Sequence, residues 1–197
     1  MNEYLPWLAG YAAQSGLRYE ELADERWMRA WEPFVTLRTP LHYAHALQGT
    51  GAGGSLTIGR IAVEAPYVDV RTGQKALVWS FVALVQDERL LGRAAVAADP
   101  GSVFAEPGNE IPVPRMATGD PHFDHVFASY AKSAEELAAT VTPSLRKLLG
   151  SWRTAVHLDL RPGGFVLAPV ALAATPESIS WLLSAVSYVG EKATKRG

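Results

Sequence analysis

Between residues 75 and 85 the chain runs Lys-Ala-Leu-Val-Trp-Ser-Phe-Val-Ala-Leu-Val, too continuously apolar for a strand with one face in water. The stretch predicts a central, fully paired strand. Trp79 and Phe81 project to one face, Val78 and Val82 to the other, and both faces need cover from helices or from another subunit. Upstream the spacing is different. Tyr4, Leu5, Leu8, Tyr11 and Ala12 recur at intervals of three and four, which predicts a helix over 2–15 docked on the core. Pro6 is tolerated only in a first turn, so the helix is expected to start between Asn2 and Leu5 and to end near Gly16. Trp27, Met28 and Trp31 carry the same helical spacing within 20–33. From His42 onward the pattern is strand-like: 42–47 and 55–63 flank the glycine-rich segment Gly49 to Gly54. Tyr67 to Val70 then leads to a turn at Thr72-Gly73. Asp87-Glu-Arg89 closes the long apolar strand, and 93–97 is a weaker strand.

The last third has the clearest punctuation. Phe123 to Ala131 reads as an aromatic strand that runs into a helix from Ser133, whose hydroxyl caps it while Glu136 completes a capping box. Leu137, Val141, Leu145 and Leu148 form its buried face, and Pro143 bends or splits it. Residues 153–160 alternate, Pro162-Gly-Gly164 turns the chain, and Phe165 to Val170 returns as the second strand of a hairpin. Thr175 as N-cap, Pro176 at the first helical position and Glu177 in the first turn start a final helix, striped by Ile179, Leu182, Leu183, Val186 and Val189.

Strands joined by hairpins, and not alternating with helices, predict an α+β fold. It has a mainly antiparallel sheet, N-terminal helices and a C-terminal strand–helix–hairpin–helix unit. The 197 residues read as a single domain. The alternative is two subdomains, 1–98 and 123–197, joined by the irregular segment 99–122. That segment holds Pro100, Pro107, Pro112, Pro114 and Pro121, and is either a functional loop or a join.

Composition narrows the function classes. A net charge of −2 offers no basic footprint for nucleic acid. Cysteine is absent, which removes disulfides, thiolate metal sites and a cysteine nucleophile. No stretch reaches the roughly 18 apolar residues of a membrane span, and the first residues lack a signal-peptide pattern, so a cytoplasmic location is expected.

Trp31-Glu-Pro-Phe34, the spaced aromatics Phe123 and Phe127, and Val141-Thr-Pro143 with Leu145 together resemble a group of uncharacterised bacterial proteins classed as a domain of unknown function. The resemblance spans roughly residues 17–190, and some members of that group carry membrane anchors. It implies the same helix, hairpin and strand–helix architecture, and it implies no catalytic residue.

Few residues gather in a chemically suggestive way. Asp120-Pro-His122-Phe-Asp124-His125 is the one cluster of metal-type ligands, with His122, Asp124 and His125 as the candidates. In a strand His122 and His125 would project to opposite faces. His42 and His45 have the same spacing and read as surface or edge-strand residues. Gly49 to Ser55 lacks both the lysine and the following helix of a phosphate loop. No serine lies in a Gly-x-Ser-x-Gly elbow, and Glu106 and Glu110 read as solvated loop acids.

The expectation is therefore a non-enzymatic interaction or self-assembling module of a bacterial cytoplasmic system, with no cofactor, a protein partner or a second copy, no nucleic acid and no membrane span. The expected contact surface is the serine side of the last helix: Ser180, Ser184, Ser187 and Tyr188. No charge separates Glu177 from Glu191 on that helix. The alternatives are a metal-dependent enzyme or binding protein using His122, Asp124 and His125, or a small-ligand binder with a pocket between the sheet and the C-terminal helix.

Overall fold

The pattern of short strands and tight turns folds into one antiparallel sheet with cover on both faces. A computed structural model of the chain describes residues 5–51, 54–68, 71, 73–98, 113–170 and 172–194. In chain order the elements are α1 (Trp7–Gln14), β1 (Arg18–Glu20), α2 (Glu25–Arg29), β2 (His42–Gly51), β3 (Gly54–Val68), β4 (Lys75–Gln86), β5 (Ala94–Ala98), β6 (Arg115–Met116), α3 (Pro121–Val126), β7 (Phe127–Tyr130), α4 (Ala134–Thr140), α5 (Pro143–Ser151), β8 (Val156–Arg161), β9 (Gly164–Pro169) and α6 (Pro176–Thr194). The nine strands lie in the order β1-β2-β3-β4-β9-β8-β5-β7-β6. The α+β class is as expected. Strands from before and after residues 99–112 pair directly, β4 with β9 and β5 with both β8 and β7.

Side-chain alternation sorts the core into two layers. Ile58, Phe81, Val85, Val96, Leu158 and Leu167 point to the face covered by α1, α4, α5 and α6. Ile61, Val82, Leu84 and Val166 point to the other, where Met28, Trp31, Phe34 and Leu37 cover them. The expectation that the central strands are covered on both faces holds. Gly59 makes room for Met28, since a Cβ there would overlap the Met28 methyl.

The segment from Trp31 to Leu37 is tied to the sheet by a buried ion pair. Asp159, 1% exposed, accepts from the Val35 amide and from the Arg161 guanidinium. Arg161 in turn donates to the Trp31 carbonyl at 2.6 Å, with its guanidinium beside the Trp31 and Phe34 rings. The Trp31 ring also lies on Gly164. A Cβ at that position would sit 2.2 Å from the Val85 carbonyl oxygen and 2.8 Å from the Trp31 ring. Gly164→Ala is therefore expected to cost about 1–3 kcal/mol of stability, as overpacking does. A urea midpoint unchanged from wild type would contradict that packing.

Several local expectations are corrected. The first helix starts at Trp7, after Leu5, with Pro6 at the N-cap. Its end is as expected: Gly16 has φ +69°, and the amides of Gly16 and Leu17 return to the carbonyls of Ala13 and Ala12. Within 20–33 only Glu25–Arg29 is helical, and the preceding Arg18–Glu20 is an edge strand. His45 is buried and lies in β2, which is paired on both sides, so it is neither a surface nor an edge residue. It sits at a β-bulge with φ +43°, and its Nδ1 is 2.9 Å from the Tyr19 hydroxyl. His45 is the extra residue of that bulge, and the β2–β3 register shifts by one residue across it.

The strand β4 is only partly as expected. It pairs with β3 along much of its length but with β9 only over Ala83–Gln86. Phe81 is buried, whereas Trp79 is half-buried and Leu77 is 42% exposed. The cause is topological, because β9 ends at Pro169 and the first half of β4 extends beyond it.

Candidate interaction surfaces

The helix after Ser133 is capped as expected, with the Ser133 hydroxyl accepting from the Glu136 amide. It splits at Pro143 into α4 and α5, and Thr142 caps the second piece. The segment before it is not the strand expected over 123–131. Asp120 accepts from the His122 and Phe123 amides, Pro121 occupies the first turn, and residues 121–126 form the helix α3. Only Phe127–Tyr130 is strand. Asp-Pro before a helical turn is an N-cap signature, which makes the local reason clear.

The helical turn over 121–126 rearranges the ligand cluster. In α3 the imidazoles of His122 and His125 share a side, and both line a groove between α3 and α5. Asp124 does not join them. Its carboxylate accepts from the Thr118 amide at 2.9 Å, the Thr118 hydroxyl at 2.8 Å and the Gly119 amide at 3.2 Å. Among the described residues no three His, Asp or Glu side chains come together to hold a metal ion. Glu106 and Glu110 lie outside the described residues.

The groove has a volume of about 960 Å³. The half-buried Trp152 gives it aromatic surface, and behind it the buried Phe123 and Phe127 stack with centroids 4.7 Å apart. Arg146 and Lys147 contribute cations from α5. Arg146 is anchored by donating to the Val141 carbonyl at 2.8 Å and by ion pairing with Asp120 at 3.8 Å. No sequence pattern pointed to this groove, because its two walls are some twenty residues apart in the chain.

Helix α6 places the expected contact residues on its outer side. Thr175 caps it, accepting from the Ser178 amide. Ile179, Leu182, Ala185, Val186 and Val189 are buried in the helix-covered layer of the core. Ser180, Ser184, Ser187 and Tyr188 are all exposed, Tyr188 by 53%. Their spacing of four, three and one follows the 3.6-residue period, so they form one stripe. The three hydroxyls donate to carbonyls one turn back, Ser180 to Pro176 at 3.0 Å, Ser184 to Ser180 at 3.0 Å and Ser187 to Leu183 at 3.1 Å. At the α1 side the Tyr11 hydroxyl is 2.8 Å from Ser180 Oγ. No described helix is long and apolar enough to cross a membrane.

No family model matches the chain, and no curated protein matches it. Among solved structures it is similar to the crystal structure of the mycobacterial trehalose monomycolate transport factor A, TtfA, with a TM-score of 0.65 and 11% sequence identity, over 95% of this chain and 94% of that one. At that identity the likeness is one of fold.

Proposed function

We propose that this chain is a non-enzymatic interaction module whose working contact is a second copy of itself, made through the outer stripe of α6. The observation that carries the reading is an exposed helix face with no charge between Glu177 and Glu191. An exposed helix side ordinarily carries charges that keep it in water. Here the serine hydroxyls already donate within the helix, so covering them strands no donor. Tyr188 adds an aromatic anchor of the kind that dominates contact energies.

A second copy fits this stripe for a further reason. A two-fold contact lays the same patch against itself. A charged patch would repel its own image, and an uncharged one does not. Small serine side chains also let two helices approach closely. The fold shared with a protein described as a transport factor is compatible with an accessory, non-catalytic role.

Ser184→Arg places a charge at the middle of the stripe, where it would face its own image. It is expected to convert an oligomer into a monomer by light scattering, with an unchanged circular dichroism spectrum because Ser184 is exposed. A wild-type protein that is monomeric at high concentration would contradict self-association.

A further inference from the structure

We infer that the groove between α3 and α5 is a binding site for a small amphipathic monoanion, of which a medium-chain carboxylate is the simplest form. The inference is independent of the α6 contact. Its first support is charge. Arg146 and Lys147 stand against the single carboxylate of Asp120, leaving one net positive charge before His122 and His125 are counted. Asp120 is already engaged with two α3 amides and with Arg146. The side chains of Lys147, His122 and His125 make no hydrogen bond or ion pair among the described residues. They are exposed donors along one groove, free to meet an anionic head.

The second support is the apolar surface beside those cations. The half-buried Trp152 lines the groove, backed by the stacked core rings of Phe123 and Phe127, which are only 5% and 6% exposed. Val126, on the same lining, is 55% exposed. Apolar surface with a few convergent polar groups is the usual make-up of a small-molecule site, and about 960 Å³ lies in the range of such sites.

The third support is the make-up of the walls. An extended peptide would need backbone groups to pair with, and two helix walls keep theirs for themselves. A short alkyl or aryl tail with one carboxylate matches the apolar surface and the single excess charge together.

The test is calorimetric titration of the full chain with decanoate below its micelle concentration, alongside decylammonium, which has a comparable tail and the opposite charge. Saturable one-to-one binding of decanoate is expected, with none for decylammonium. Lys147→Glu, an exposed substitution, should weaken decanoate binding at least tenfold, and Val126→Glu on the opposite wall should do the same. Circular dichroism on both variants checks that the fold is kept. Amide shifts in an NMR titration should map to residues 121–127 and 143–152. Equal binding of the two probes, unchanged affinity in both folded variants, or no saturable binding of decanoate would overturn the inference. So would tight binding of an acidic helical peptide in place of decanoate.

Discussion

Phe81→Ala is expected to lower the unfolding free energy by about 3–5 kcal/mol, the range for a large aromatic removed from a core. Phe81 is 1% exposed and projects into the helix-covered layer of the sheet. The Arg60 guanidinium lies over its ring at 4.6 Å and is itself buried, so deletion of the ring also leaves a charged group against a cavity. Trp79 lies two residues away on the same face but is only half-buried, because β9 does not reach it. Trp79→Ala should therefore cost clearly less, about half as much. Urea denaturation of the two variants measures the contrast. Equal losses would mean that the first half of β4 is as well covered as the second. A Phe81 variant melting within a degree or two of wild type would contradict the placement of the strand.

The second large effect is on the pH dependence of stability. His157 is 1% exposed in β8, and burial pushes its imidazole down to about 4. The unfolded chain takes up a proton there near pH 6.5, which the folded chain refuses until about pH 4. The contribution is full above pH 6.5 and declines as the pH falls, by up to about 3 kcal/mol near pH 4. Asp159, on the same face of the strand, works in the opposite sense. Burial raises its carboxyl above the ordinary range, against the pull of Arg161, so the folded state takes up a proton there before the unfolded state does. His157→Gln separates the two. The loss of stability between pH 6.5 and 4 should shrink in that variant, leaving the part due to carboxylates. An unchanged slope in chemical denaturation would show that His157 does not titrate across folding.

How much of this was legible in the sequence depends on whether a feature is local. The Ser133 N-cap, the Thr175-Pro176 helix start, the Pro143 split and the 162–164 turn are each written within four residues, and each is present. The Glu136 half of the expected capping box is not, because its carboxylate accepts from the Lys132 and Arg93 amides. Asp120-Pro121 is written just as locally, but the aromatic residues after it carry a strand preference of their own that masks the N-cap signature. Features set by distant neighbours were harder. Ala94–Ala98 is all alanine and valine, a composition with little strand preference overall. It becomes a fully buried central strand because β8 and β7 pair with it on either side. The apolar run of β4 could not reveal that β9 stops at Pro169. The bulge at His45 follows from the register between β2 and β3 and has no signature of its own.

The candidate surfaces divide in the same way. The α6 stripe was readable because 3.6-residue periodicity places Ser180, Ser184, Ser187 and Tyr188 together once the segment is a helix. The groove was not, because it depends on α3 being a helix and on α5 packing opposite it. His122 and His125 were singled out by residue type alone. The structure keeps them together on one wall and gives Asp124 to the 118–119 turn.

The absence of cysteine from the chain makes a contact between two copies through α6 directly measurable. A cysteine placed near the axis of a two-fold contact lies close to its own copy, and a disulfide forms only when the two Cα atoms are within about 7 Å. Ser180→Cys, Ser184→Cys and Ser187→Cys should be compared under mild oxidation with Glu88→Cys, an exposed position remote in sequence from α6. Rapid, high-yield covalent dimer is expected for at least one of the α6 variants, and only slow, concentration-dependent dimer for Glu88→Cys. Equal, slow crosslinking at all four positions would contradict a contact between two copies through α6.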